Sequence, residues 1–412
     1  MTRVGTARPQ LTRVKSRSLL LGPAFVAAIA YVDPGNVASN ISAGAQFGYL
    51  LVWVIITANL MAGLVQYLSA KLGLVTGMSL PEALRERLSR PARLGYWLQA
   101  ELVAMATDLA EVVGGAIALN LLFDLPLLVG GIITGVVSMT LLAVQDKGGQ
   151  YLFERVITGL LLVIAVGFLA SLFVAPPSPA DAAAGLLPRF SGTESVLVAA
   201  AMLGATVMPH AVYLHSGLAR DRHGHPHGER RTQLLRATRV DVGLAMLLAG
   251  AVNLGMLLLA ATNLQGIAGV DSIEGAHGAV AGTLGPAVAL MFAIGLLASG
   301  LASTSVGAYA GAMIMQGLIR KRIPLLLRRL ITLTPALLVV AAGADPSRAL
   351  VVSQVVLSFG IPFALVPLVR LTTDRGLMGV HSNHRATTVV AGAVAAVIIT
   401  LNVVLIYLTF TG

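Results

Sequence analysis

The chain has 412 residues, of which 56% are hydrophobic and only 11% charged, against roughly 25% charged in ordinary soluble domains. That composition marks an integral membrane protein with no soluble domain, and the absence of cysteine excludes disulfides, thiolate metal sites and thiol catalysis. The net charge of +10 is spread over loops on one side of a membrane, a pattern that anionic lipid headgroups explain and nucleic acid does not.

Residues 1–18 form a basic cytoplasmic tail. With Leu19–Ala30 the tail imitates a secretory signal, but an Asp-Pro-Gly break follows where a small-residue cleavage site would be, so the segment is read as retained. Apolar runs long enough to cross a bilayer, about 20 residues each, then follow in order. They are Leu19–Gly44, Tyr49–Val75, Trp97–Leu122, Leu125–Val144, Val156–Val174, Val196–Leu218, Val240–Ala261, Pro286–Ile314, Leu330–Gly343, Leu350–Val369 and Ala386–Phe410. Between them the longest hydrophilic stretches, around Gly77–Tyr96, Pro176–Ser195 and Arg220–Arg239, read as loops. With the N-terminus in the cytoplasm, every Lys and Arg except Arg189 and Arg348 falls on that side, which satisfies the positive-inside rule for eleven crossings. The expected protein is a multi-pass plasma-membrane protein with an extracellular C-terminus.

Two polar breaks interrupt this apolar text: Asp33-Pro34-Gly35-Asn36 in the first span and Met208-Pro209-His210 in the sixth. Unsatisfied backbone is not tolerated in hydrocarbon, so both breaks are expected to line a protected cavity. Aligning Ala30–Gly35 with Ala205–His210 superposes the two prolines, and the five spans between them turn the second copy upside down. Inverted five-helix repeats with broken first helices describe a transporter architecture that binds substrate between the breaks. Residues 19–176 and 194–372 would be the repeats of one transmembrane domain, 19–412, with 386–410 an additional helix.

The first halves of both broken helices would point their C-terminal carbonyls, and hence partial negative charge, at the midplane. Asp33 adds a full charge, costing roughly 2.5–3.5 kcal/mol at mid-bilayer, so the cavity prefers a cation. Asp33, Asn36 and freed carbonyls near Ala30 and Ala205 offer oxygen; Met208 offers a thioether, from which Mg²⁺ and Ca²⁺ gain little and softer ions more. The set leans toward Mn²⁺ or Fe²⁺. In span three, Glu101, Asp108 and Glu111 fall within an arc of about 80° at about 100° per residue, either a proton path or, for Glu101 above all, salt bridges to a neighbouring arginine. His210 opens the second half of span six, where the helix N-terminus favours neutral imidazole able to relay a proton.

Asp-Pro-Gly-Asn in span one, Met-Pro-His in span six and Glu101–Glu111 in span three together resemble the Nramp family of proton-coupled divalent metal transporters, in its bacterial manganese branch. The resemblance runs from about Leu21 through the last span. It implies the all-α, LeuT-like fold with eleven helices, Mn²⁺ or Fe²⁺ as substrate rather than cofactor, H⁺ as coupling ion, and no enzymatic activity. It assigns proton movement to His210, Asp108 and Glu111, and places Arg222 and Arg329 along the exit. Gln354, read as opening span ten, and Asn253 in span seven are implied to complete or gate the metal site, although helix–helix hydrogen bonding explains either equally well. The small-residue run Ala298–Ser305 reads as close helix packing with no ligand. His223, His225 and His227 form either a solvated loop or a metal sensor. The competing function is a sodium-coupled symporter of a small organic substrate on the same fold, which has no use for Met208. Partners are metal ions, protons and lipid, with no obligate protein partner evident.

Overall fold

The computed structural model describes residues 22–270 and 272–411; the basic tail and the expected start of the first span at Leu19 lie outside the described residues. Among these the chain is helical throughout, with no strand. α1 (Pro23–Ala28) and α2 (Pro34–Phe47) are halves of one interrupted helix, joined by the 3-10 turn Ile29–Tyr31, Val32 and Asp33. A second 3-10 turn, Gly48–Leu51, leads to α3 (Val52–Thr76), followed by α4 (Leu80–Arg87) and α5 (Arg90–Phe123). α6 (Leu127–Leu169) bends at Gly149 (φ 76°, ψ 170°), and two short helices, α7 (Ser171–Val174) and α8 (Pro179–Ala184), precede the second interrupted helix, α9 (Gly192–Thr206) and α10 (Pro209–His223). Then come α11 (Gly228–Asn263), α12 (Ile273–Leu284), α13 (Pro286–Ile319), α14 (Leu325–Ala341), α15 (Pro346–Thr373), α16 (Arg375–Met378) and α17 (Arg385–Thr411).

Nine stretches among the described residues are long and apolar enough to cross a membrane, and they do not map singly onto the eleven expected spans. Pro34–Thr76 takes in the end of the first span and all of the second. α14, at 17 residues with Arg328 and Arg329 inside it, is not among the nine. Several expected loops are largely helix. Spans four and five are arms of the bent α6; Gly77–Tyr96 contains α4 and the start of α5; and Arg220–Arg239 reduces to a turn between α10 and α11. The reason is common to all three: hydropathy marks the lipid-embedded part of a helix, whereas backbone hydrogen bonding continues into water. Arg220 and Arg222 in the last turn of α10 favour that extension by facing the negative end of its dipole. Ser79 and Glu82 form a capping box that starts α4. Burial pushes the Glu82 carboxyl up, but hydrogen bonds from Ser79 and the Arg220 guanidinium outweigh it and hold the group below its ordinary range.

The core is organised around α13, which packs on α5, α6, α10 and α12. Its stripe of small residues lets backbones touch: a Cβ added at Gly300 would lie 2.9 Å from the Gly115 nitrogen and 3.0 Å from its Cα. Without a hydrophobic drive between helices in lipid, such close packing supplies much of the association energy. Gly300→Val is expected to cost about 1–3 kcal/mol by overpacking, read as a lower unfolding temperature of the detergent-solubilised protein; an unchanged temperature would show that α5 and α13 separate freely.

Candidate functional site

Both interruptions have the same local cause. Proline has no N–H and drives the residue before it out of the helical region: Asp33 (φ −70°, ψ 169°) precedes Pro34, and Met208 (φ −78°, ψ 119°) precedes Pro209. Each proline then opens the second half-helix. Asp33 caps α2, its Oδ1 accepting from the Asn36 backbone N–H at 2.9 Å.

The freed backbone of the first break is satisfied by side chains from elsewhere. Asn253 Nδ2, from α11, donates to the Tyr31 carbonyl at 2.8 Å while its Oδ1 accepts from Asn40 Nδ2 at 2.9 Å. Ser299 Oγ, from α13, donates to the Val32 carbonyl at 2.6 Å. Ala30 lies buried in the 3-10 turn. Thus the carbonyls that gain side-chain partners are those of Tyr31 and Val32, and Asn253 binds unwound backbone rather than only a neighbouring helix.

Asn36 joins the two breaks. Its Nδ2 donates to Asp33 Oδ1 at 2.6 Å and to the Ala205 carbonyl at 3.0 Å, so the positive end of an amide dipole bridges two oxygens from different half-helices. Around this bridge, Asp33 Oδ2, Asn36 Oδ1 and both amide atoms of Gln354 are buried without a hydrogen-bond partner. Gln354 sits two turns inside α15 rather than at its start. It closes on Gly35, where an added Cβ would collide with its amide nitrogen and lie 3.3 Å from Asp33 Oδ2. Met208 is fully buried at the second break. A cavity of about 180 Å³, lined on its polar side by Gly35, Ser39, Ser42, Ser347 and Gln354, reaches this cluster; a larger one of about 800 Å³, beside Glu82, Arg220 and Arg322, lies away from both breaks. Among the described residues no three His, Cys, Asp or Glu side chains gather around one point. What the described structure gathers at the breaks is one carboxylate, Asp33, with the amide oxygens of Asn36 and Gln354 and the Ala205 carbonyl.

The α5 acids divide. Asp108 pairs with Arg329, both buried, and Thr304 donates to Asp108 Oδ1 at 3.3 Å; Arg329 in turn donates to Ser138 at 2.9 Å and to Thr304 at 2.7 Å. Glu101 pairs with Arg328 at 2.6 Å, so the salt-bridge alternative describes it. Glu111 is buried without an ion-pair partner, beside Ser303 and within electrostatic reach of Asp108, Asp33 and Arg329. His210, second residue of α10, is buried with both ring nitrogens unpartnered and senses the charge of Asp108. Arg222 pairs with Glu154, both side chains 4% exposed, and stacks 3.5 Å over Tyr151. The same end of the molecule carries Asp241, which accepts from the backbone of Gly22 and Ala24 at 3.0 Å each and holds the start of α1.

A family model described as natural resistance-associated macrophage protein-like, or Nramp, matches residues 24–408. The chain belongs to the Nramp family. It is 68% identical over 407 residues, 98% of this chain and 95% of the relative, to the divalent metal cation transporter MntH of Mycobacterium tuberculosis H37Rv. With the MntH of Bacillus subtilis 168 the identity is 48% over 393 residues, 95% and 92% of the two chains. The solved manganese transporter of Eremococcus coleocola superposes with a TM-score of 0.88 at 31% identity, covering 97% of this chain and 89% of that one. Mhp1, a nucleobase-cation-symport-1 family transporter, shares the fold alone, with a TM-score of 0.62 at 16% identity over 94% and 91% of the chains.

In this Nramp-family chain, the residues that sequence reasoning missed are second partners. Ser299 and Thr304 stood in the run assigned to packing, where their hydroxyls among Gly and Ala were the available signal. Ser138, Glu154 and Asp241 carried none beyond being polar in apolar surroundings. Tyr31, Gln66 and His215 form a further buried chain, Gln66 Nε2 donating to Tyr31 Oη at 2.6 Å and Gln66 Oε1 lying 2.7 Å from His215 Nδ1. Removing one partner of a buried ion pair strands the other. Arg329→Ala is accordingly expected to destabilise the protein by about 3–5 kcal/mol and the double substitution Asp108→Asn, Arg329→Gln by much less. Thermal unfolding of the single and double variants measures this, and equal losses would mean that the pair is not coupled.

Proposed function

We propose that the chain carries divalent transition-metal ions, Mn²⁺ foremost and Fe²⁺ as well, into the cell with protons by alternating access. The observation that carries this reading is the group of unpartnered buried oxygens, from Asp33, Asn36 and Gln354, at the meeting point of two unwound helices. Buried polar atoms without partners are costly, and a partly dehydrated cation would satisfy them all. Asp33, Asn36, Met208, Gln354 and the carbonyls of Ala205 and Ala30 are the proposed ligands. The Asn36 Nδ2 now links Asp33 Oδ1 and the Ala205 carbonyl; an arriving ion would take its place between those two oxygens. The names of the relatives, divalent metal cation transporter and manganese transporter, support the substrate class.

The orientation follows the basic loops: N-terminus in the cytoplasm, C-terminus outside, and eleven crossings of the plasma membrane when the first broken helix and α14 are counted separately. In this frame the cavity at Gly35 and Gln354 is the outer approach, while Asp241 at the start of α1 and the Arg222–Glu154 pair close the inner side. The broken helices, one in each of the repeats 19–176 and 194–372, rock to open the cytoplasmic side, and 386–410 stands outside the repeat. An inside-negative potential draws the ion inward with about 2.3 kcal/mol per charge per 100 mV, twice that for a divalent ion. Protons released from Asp33 on metal binding pass to His210, Glu111 and Asp108, with Arg329 beyond; Glu101 stays with Arg328. No covalent chemistry is involved and no resident cofactor is needed. Asn253 acts as a gate by holding the Tyr31 carbonyl of the unwound segment.

In proteoliposomes, Asp33→Asn is expected to abolish both Mn²⁺ uptake and the accompanying internal acidification, whereas retained uptake would remove the first break from the site. Met208→Ala is expected to keep Mn²⁺ transport and to admit Ca²⁺ or Mg²⁺, since only the thioether disfavours hard ions; continued exclusion of both would take the sulfur out of selectivity.

A further inference from the structure

The turn between α10 and α11 is made by Gly224-His225-Pro226-His227, with Gly224 (φ 68°) and Gly228 (φ 57°) bending the chain at either side. His223 belongs to the last turn of α10, but His225 and His227 are exposed and face each other with ring centres 4.6 Å apart. Two imidazoles bound in adjacent positions of one ion at about 2.0–2.1 Å have ring centres about 4.5–5.2 Å apart. The observed pair already has that spacing.

The nitrogens also converge. Arg231 Nη2 lies 3.2 Å from His225 Nε2 and 3.1 Å from His227 Nδ1, so one cationic nitrogen stands between two imidazole nitrogens. The Val75 carbonyl oxygen lies 2.9 Å from the same His225 Nε2. In one tautomer Nε2–H donates to that carbonyl; in the other, the lone pairs of His225 Nε2 and His227 Nδ1 both face the Arg231 guanidinium, the place a bound cation would take. The ring packs over Gly77, where only a residue without a side chain leaves room for it: an added Cβ would be 3.0 Å from His225 Cγ. A cavity of about 460 Å³, lined by His225, Arg231, His381 and Val75, leaves room for water on the open side of an ion and for the guanidinium to withdraw.

We propose that His225 and His227 form a second metal site, separate from the breaks, for a divalent ion that favours imidazole: Zn²⁺, Ni²⁺ or Co²⁺ rather than Mg²⁺ or Ca²⁺. Water completes the coordination. Arg231 is the resident competitor, so binding requires it to leave and its charge lowers the affinity. The site stands independently of what the central cluster carries.

Co²⁺ titration of the purified full-length protein tests this, in an Asp33→Asn, Met208→Ala background that removes the central donors, read by ligand-field absorbance and equilibrium dialysis. One Co²⁺ per chain is expected in that background. His225→Ala or His227→Ala is expected to weaken it at least 30-fold, and Arg231→Gln to tighten it about tenfold. Co²⁺ binding that survives both histidine substitutions, an absence of bound Co²⁺ in the background protein, or no tightening with Arg231→Gln overturns the proposal. Because the histidine and arginine substitutions act in opposite directions, general loss of folding cannot reproduce the expected pattern.

Discussion

Backbone that leaves a helix inside a membrane must find its partners within the protein, and the two proline breaks bind the rest of this structure to that requirement. Pro34 and Pro209 dictate where the helices open. Asn253 of α11 and Ser299 of α13 must then reach the carbonyls of Tyr31 and Val32, and Asn36 must reach Ala205. Three elements distant in sequence are tied to the breaks by hydrogen bonds that replace the lost intrahelical ones. A weakness in two helices thereby becomes a defined, buried centre with oxygen atoms left over.

Charge in the interior obeys a parallel rule. Asp108 and Glu101 on α5 are each matched by an adjacent arginine of α14, Arg329 and Arg328, and Arg222 by Glu154. Paired charges of this kind contribute little net stability but are costly to break. Glu111 and His210 are buried without an ion-pair partner of this kind, which is the ground on which the proposed proton route runs through them. The same logic explains why α14 is short for a lipid-exposed crossing: its arginines face α5 and α13 instead of lipid.

At the breaks and at the α10–α11 turn, a donor nitrogen spans electron-rich atoms. Asn36 Nδ2 links a carboxylate and a carbonyl; Arg231 Nη2 lies between two imidazoles. In each place the protein supplies its own positive group to a cluster of lone pairs. The proposed donors differ in hardness, oxygen and thioether at one and imidazole at the other, and the two proposals differ accordingly in the ions they name.

The position of both breaks, the candidacy of Asp33, Asn36 and Met208, and the common face of the α5 acids were legible in the sequence, because proline, intramembrane charge and helical periodicity act through residues close together in the chain. Helix lengths were not, since hydropathy registers lipid and not hydrogen bonding; this is why the loops expected at Gly77–Tyr96 and Arg220–Arg239 contain much helix. Nor could the sequence say that Ser299 would bind Val32, that Arg329 would meet Asp108, or that Gln354 would close over Gly35. Those pairs are separated by most of the chain, and only the packing of α13, α14 and α15 against α2 and α5 decides which polar side chain reaches which unsatisfied atom.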